Sequence, residues 1–171
     1  QEVMKSARPD ILLSGINRGG NLGEDITYSG TVAAAMEGTL LGLPSVALSQ
    51  HYKDRQKVSW KTAEVWMARV LKILLKEDWP AGVLMNVNFP DVPPGAVAGI
   101  EVARQGRRKI GGALNEGKDP RGDKYFWIGP QRHEDESKTG TDLSVVTAGG
   151  IAVTPLSLDF THKSMLQKMK A

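Results

Sequence analysis

An α/β domain built on a mostly parallel sheet is the fold this sequence predicts, and three observations predict it. Short apolar runs at Ile11–Gly15 and Val46–Leu48 bracket a helical stretch, the β-loop-α-β pattern of a right-handed parallel crossover. A second helix is strongly periodic: Ala63, Trp66, Met67, Val70, Leu71 and Leu74 recur at the spacing of one helical face. After it, Val83 to Phe89 alternates, with Val83, Met85, Val87 and Phe89 on one side and Asn86 and Asn88 on the other.

The composition agrees with a folded core. Of 171 residues, 40% are apolar, too many for a disordered chain, and the longest apolar runs are far too short to span a bilayer. The absence of cysteine excludes a disulfide scaffold, a thiol nucleophile and a thiolate metal site. A net charge of +3 does not by itself indicate a nucleic-acid binder.

Taken in order, the first seven residues read as the last turns of a helix broken at Pro9. The chain opens at Gln1 with neither an initiator Met nor a basic-then-apolar leader, which leads us to expect more protein upstream. Ile11–Gly15 reads as a strand buried on both faces. A polar, glycine-rich loop, Asn17–Asp25, leads to a helix beginning near Ser29, with Val32, Met36, Leu40 and Leu43 on one face and stop signals at Gly42 and Pro44. Ser59 is the expected cap of the second helix, and Trp60 and Trp66 are expected against the sheet.

After Pro90 the pattern loosens. Residues 91–95 form a turn or linker, and Ile100–Arg104 is a possible strand. The turn signal Asp119–Gly122 and the aromatic run Tyr125–Ile128 then suggest an extended hairpin. Thr141 and Asp142 cap a short helix to about Ala148. A strand Ile151–Leu156 and an amphipathic tail complete the chain.

The loop Asn17–Thr31 is the best place for chemistry. It follows a parallel strand, where open α/β sheets bind ligands, and its glycines let backbone approach a ligand. It ends at Ser29-Gly30-Thr31, where free N–H groups and two hydroxyls at a helix N-terminus suit an anion; Ser29 acting only as an N-cap is the plainer alternative. Glu24 and Asp25 oppose an anion unless a cation lies between, and otherwise are solvated loop charges. Neither the P-loop nor the dinucleotide glycine spacing is present.

The other candidates are weaker. His51, His133 and His162 lack zinc-site spacing. Arg104, Arg107, Arg108 and Lys109 suggest a solvated hairpin tip, with a contact to phosphate or an acidic partner as the alternative, and His133–Glu136 an exposed loop. Asp142 and Asp159 read as helix caps, with catalytic acids as the alternative.

Ser14-Gly15-Ile16-Asn17-Arg18-Gly19-Gly20-Asn21-Leu22-Gly23, running into Tyr28-Ser29-Gly30-Thr31-Val32-Ala33-Ala34-Ala35-Met36-Glu37-Gly38, resembles the signature of the survival protein SurE family. The likeness continues through Leu43-Pro44-Ser45, Asn86-Val87-Asn88-Phe89-Pro90, Asp119-Pro120-Arg121-Gly122, Tyr125-Phe126-Trp127-Ile128-Gly129, Thr141-Asp142 and Val153-Thr154-Pro155-Leu156. It therefore covers nearly the whole chain in order.

The resemblance implies a three-layer, Rossmann-like core with a mostly parallel sheet, a protruding β-hairpin and a swapped C-terminal element. Residues 1–92 would form the core carrying the site, and 93–171 the hairpin and a C-terminal segment that completes the core and serves oligomerisation. It implies a 5′/3′-nucleotidase acting on nucleoside monophosphates with one divalent cation, Mg²⁺ or Mn²⁺. Asn17 would be a metal ligand, Ser29, Gly30 and Thr31 would bind phosphate, and Gly20 and Asn21 would be loop contacts. The family's catalytic Asp-Asp pair and a loop Ser fall upstream of residue 1, so no catalytic residue is assigned.

A homodimer or homotetramer in the cytoplasm is expected, with no membrane and no nucleic acid as main partner. The alternative is a catalytically incomplete module of the same fold that oligomerises or binds nucleotide. A DNA-binding domain resting on the basic cluster ranks last, since the cluster is short and lacks interleaved aromatics.

Overall fold

A computed structural model describes residues 6–110, 114–128, 132–134 and 139–170, with 109, 110, 128 and 132–134 described by backbone alone. Its centre is a five-stranded sheet. Strands β1 (Leu12–Arg18), β2 (Ser45–Gln50) and β3 (Val83–Phe89) run parallel. Strand β4 (Ile100–Val102) closes the other side, and β9 (Ile151–Ser157) lies between β3 and β4, antiparallel to β3 and parallel to β4. The sheet is mostly parallel, as expected, and residues on both sides of position 92 contribute strands to it.

Alternation along the strands divides the core into two faces. Val46, Leu48, Val87, Phe89, Ile151 and Val153 pack with Ala63, Val70 and Leu74 of α2 (Lys61–Leu74). Ala47, Leu84 and Leu156 pack on the other face with Val32 and Ala35 of α1 (Gly30–Leu40). Ala152 shares that face with Leu143, Val145 and Val146, which belong to α3 (Asp142–Thr147). The result is the three-layer arrangement of helix, sheet and helix.

Several local expectations are corrected. Strand β2 is buried throughout, but β1 is the edge strand and leaves Leu13 44% exposed, so it is not covered on both faces. β1 also runs on to Arg18. Its ladder shifts register between Ser14 and Asn17, and the polar loop begins only at Gly19.

In α1 the buried positions are Val32, Ala35, Gly38 and Thr39, while Leu40 is exposed and Leu43 lies past the helix end. A narrow face of small residues lets the helix approach the sheet: a Cβ at Gly38 would stand 2.5 Å from Ser45 Oγ and 2.7 Å from Leu12 Cδ1. The helix stops where Gly42 turns left-handed at φ +73, with the Leu43 N–H bonding Gly38 O at 3.0 Å and the Gly42 N–H bonding Thr39 O at 2.9 Å. That is a Schellman closure.

Ser59 does not cap α2; the capping position is Trp60, whose side chain makes no cap bond and is exposed. Trp66 does pack against the core, and its Nε1–H donates to Pro94 O at 3.0 Å.

The hairpin arm is built from two ladders. Strands β5 (Arg108–Ile110) and β8 (Arg132–Glu134) form its base, and β6 (Leu114–Lys118) pairs with β7 (Lys124–Ile128) beyond. At the tip, Asp119 Oδ1 accepts the N–H groups of Arg121 and Asp123 at 2.8 and 2.9 Å. Helix α4 (Lys163–Lys170) buries none of its residues. Its start is capped by His162, whose Nδ1 accepts the Met165 N–H at 3.1 Å. Asp159 instead closes a turn, where hydrogen bonds from Thr161 hold its carboxyl below the ordinary range. Among the described residues, no helix is long and apolar enough to cross a membrane.

Candidate functional site

The parallel strands β1, β2 and β3 end side by side, and Asn17, Ser49 and Asn88 are register partners across them. The loop after β1 folds back onto this row. Asn21 is its anchor: the Asn21 N–H donates to Asn88 Oδ1 at 2.8 Å, and Asn21 Nδ2 donates to Ser49 Oγ at 2.6 Å. The Asn21 carbonyl accepts from Asn86 Nδ2 at 2.8 Å and Asn88 Nδ2 at 3.1 Å. All four residues are buried, so the polar side of β3 is a set of fixed partners for one loop residue. Asn21, expected to face a ligand, is turned into the protein.

Asn17 is oriented differently. Its Nδ2 donates to Gly19 O at 2.9 Å, across the turn that leaves the sheet. The amide's donor side is thereby committed, and Oδ1 accepts no hydrogen bond among the described residues. A half-buried carbonyl oxygen held in this way suits a hard cation. Gly20 lies beside it against His51: a Cβ there would come within 3.2 Å of His51 Nδ1.

Past a 3₁₀ turn, Gly23–Tyr28, the chain enters α1. Ser29 Oγ accepts the Val32 N–H at 3.1 Å, so Ser29 is an N-cap. The helical ladder starts with the Ala33 N–H bonding Ser29 O at 2.9 Å, which leaves the N–H groups of Gly30 and Thr31 ahead of it. Nothing lies within 4 Å of a Cβ built on Gly30, so this end of the helix is open to an incoming group.

The loop acids are half-buried and bound, not free loop charges. Glu24 accepts the backbone N–H of Arg108, and Asp25 pairs with the Arg108 guanidinium. The Arg108 side chain is only 10% exposed. It therefore sits at the base of the arm, not at a solvated tip as the basic run suggested. Arg104 and Arg107 are exposed, and the Lys109 side chain, the His133 side chain and residues 135–136 lie outside the described residues.

Asp142 is the site residue that sequence reasoning misjudged most. Thr141 and Ser144 form the capping box of α3, so Asp142 is not the cap. Its carboxylate is fully buried and accepts the N–H groups of Gly23, Gly106 and Leu143, each at 2.8 Å. Burial pushes its pKa up, the three backbone bonds pull it down, and the charge of Asp25 adds to the rise. A buried acid next to a helix cap carries no periodic signal. The alternating asparagines of β3 were the one local hint that a loop must be pinned here.

Among the described residues no group of three or more His, Cys, Asp or Glu side chains is placed to hold a metal. The donor present is the Asn17 oxygen.

Comparison with known proteins places this arrangement. The chain is 55% identical over 168 residues to a protein named 5′-nucleotidase SurE from Paramagnetospirillum magneticum, covering 98% of this chain and 65% of that protein. It is 52% identical over 164 residues to a protein of the same name from Rhodospirillum rubrum, covering 94% of this chain and 63% of that one. The chain thus spans just under two thirds of the length of these curated relatives. The crystal structure of a SurE protein from Aquifex aeolicus matches with a TM-score of 0.80 at 38% identity, over 98% of this chain and 67% of that one. The family described as Survival protein SurE matches residues 1–112, and with it the strand, the glycine loop and the helix start, so the chain belongs to the SurE family.

Proposed function

We propose that the chain is the larger part of a phosphomonoesterase that hydrolyses nucleoside 5′- and 3′-monophosphates with a divalent cation, working as a cytoplasmic homodimer or homotetramer. One observation carries the reading. An Asn side-chain oxygen accepts no hydrogen bond among the described residues at the end of a parallel strand, and its loop leads to an open helix N-terminus. The relatives' name, 5′-nucleotidase SurE, supports the substrate class.

Within this reading Asn17 offers its Oδ1 to the cation, held in place by the Nδ2 bond to Gly19. When bound, a hard cation such as Mg²⁺ or Mn²⁺ would polarise the phosphate and lower the pKa of water. The Gly30 and Thr31 N–H groups and the Thr31 hydroxyl receive phosphate oxygens at the positive end of α1. Ser29 keeps that helix start in shape through its bond to Val32. The Arg108 guanidinium offsets the charge of Asp25, and the Arg108 backbone N–H holds the Glu24 carboxylate in place.

The test is AMP hydrolysis by the full-length protein in Mn²⁺, with Asn17→Ala alongside wild type. The expected loss is at least about 100-fold, since one metal donor and its orientation are removed. Activity that survives the change overturns the assignment of Asn17. The alternative, a nucleotide-binding module without turnover, rests on the lack of an acidic cluster among the described residues. It predicts AMP binding with no phosphate release by the wild type.

A further inference from the structure

We propose that Asp142 is a positioning residue, a latch that sets the glycine loop of the candidate site relative to the base of the hairpin arm. Its two oxygens serve different segments. Oδ2 accepts from Gly23, 119 positions away in the loop, and Oδ1 accepts from Gly106, on the strand side of the arm, and from Leu143. Capping of α3 is already done by Thr141 and Ser144, so the acid is not required for the helix start.

Both segments are shaped to receive the carboxylate and each other. A Cβ at Gly106 would stand 2.8 Å from Asp142 Oδ1 and 2.9 Å from Leu143 Cδ1. A Cβ at Gly23 would meet Arg108 Cβ and N, both at 3.2 Å. Immediately beyond the latch, Glu24 and Asp25 bind Arg108, a second tie between the same loop and the same arm base. The loop is therefore fixed at its start by Asn21 on β2 and β3, and at its middle by groups belonging to α3 and the arm. Displacement of the arm base is transmitted to the loop, and with it to the entry of α1.

A fully buried carboxylate is an expensive way to stabilise a fold, because its desolvation offsets most of what its hydrogen bonds return. What it does supply is two acceptor oxygens at a fixed separation. Asparagine keeps the shape but turns one of those acceptors into a donor, so it can serve Gly106 and Leu143 or Gly23, not both.

The experiment uses full-length protein: wild type, Asp142→Asn and Gly106→Ala, by amide hydrogen exchange and by AMP hydrolysis in Mg²⁺. The activity arm rests on the nucleotidase reading; the exchange arm does not. Exchange in residues 19–29 is expected to quicken at least about tenfold in both variants, with β2 and β3 unchanged. A kcat loss of at least about tenfold should accompany it, with KM moving less than about threefold, because the loop orients the reacting group more than it binds the nucleoside.

Gly106→Ala is informative because it alters no loop atom. Unchanged loop exchange in both variants overturns the latch, and so does acceleration spread evenly over the sheet. Quickened loop exchange with unchanged kcat overturns the positioning role. A wild type without phosphatase activity would defeat the nucleotidase reading alone, and loop exchange would still decide the latch.

Discussion

Asn88 holds both polar backbone groups of Asn21: its Oδ1 accepts the Asn21 N–H at 2.8 Å and its Nδ2 donates to the Asn21 carbonyl at 3.1 Å. This reciprocal pair joins the end of strand β3 to the glycine loop 67 positions earlier. The carbonyl has a second donor in Asn86, whereas the N–H has Asn88 alone among the described residues.

Asn88→Ala should therefore destabilise the protein by about 1–3 kcal/mol, the cost of one orphaned buried donor. Asn86→Ala should cost less, since the carbonyl keeps its Asn88 bond. Urea unfolding of the two variants checks the order; equal losses would mean that the bond to Asn88 has no special weight.

At Gly38, two effects oppose each other. Alanine in a helix interior gains about 1 kcal/mol over glycine, but the added methyl would press on Ser45 Oγ and Leu12 at 2.5 and 2.7 Å, and overpacking costs about 1–3 kcal/mol. Gly38→Ala should lower the urea midpoint, while Gly30→Ala, with nothing within 4 Å, should leave it nearly unchanged. A raised midpoint in Gly38→Ala would show that α1 can lift off the sheet without loss.

The raised pKa of Asp142 makes a prediction with a definite sign. Burial is the dominant cause and outweighs the N–H bonds from Gly23, Gly106 and Leu143. A carboxyl that holds its proton more tightly when folded adds to stability in acid. That contribution is lost as pH rises from the ordinary value of 3.8 through the raised folded one. Wild type should therefore lose stability relative to Asp142→Asn across that window, with the difference level at higher pH. Paired urea titrations at several pH values would show it. A wild type that instead gains stability over Asp142→Asn as pH rises through this window would mean that the hydrogen bonds outweigh burial.

Much of the fold was legible because it depends on local patterns. The period of α2, the alternation of β3 and the glycine stop after α1 are each written in consecutive residues, and each element stands where its pattern placed it. The misreadings share a cause. Leu13, Leu40 and Trp60 are apolar residues that fit a buried face and yet are exposed. Whether an apolar face is covered depends on which element packs against it, and no local window contains that.

What the sequence alone determined is the order of β1, α1, β2, α2, β3, α3 and β9 and the glycine loop between β1 and α1, since short-range sterics and hydrogen bonding dictate them. The SurE motif pointed further, to Asn17 and the Ser29–Thr31 turn as the place for chemistry. Only the tertiary structure decided that Asn21 faces inward, that Arg108 pairs with Asp25, and that Asp142 ties the loop to the arm. Those roles come from groups 28 to 119 positions apart, brought together when the sheet closes. A buried polar group must find its partner wherever the fold delivers one, and that partner cannot be read from its neighbours in the chain.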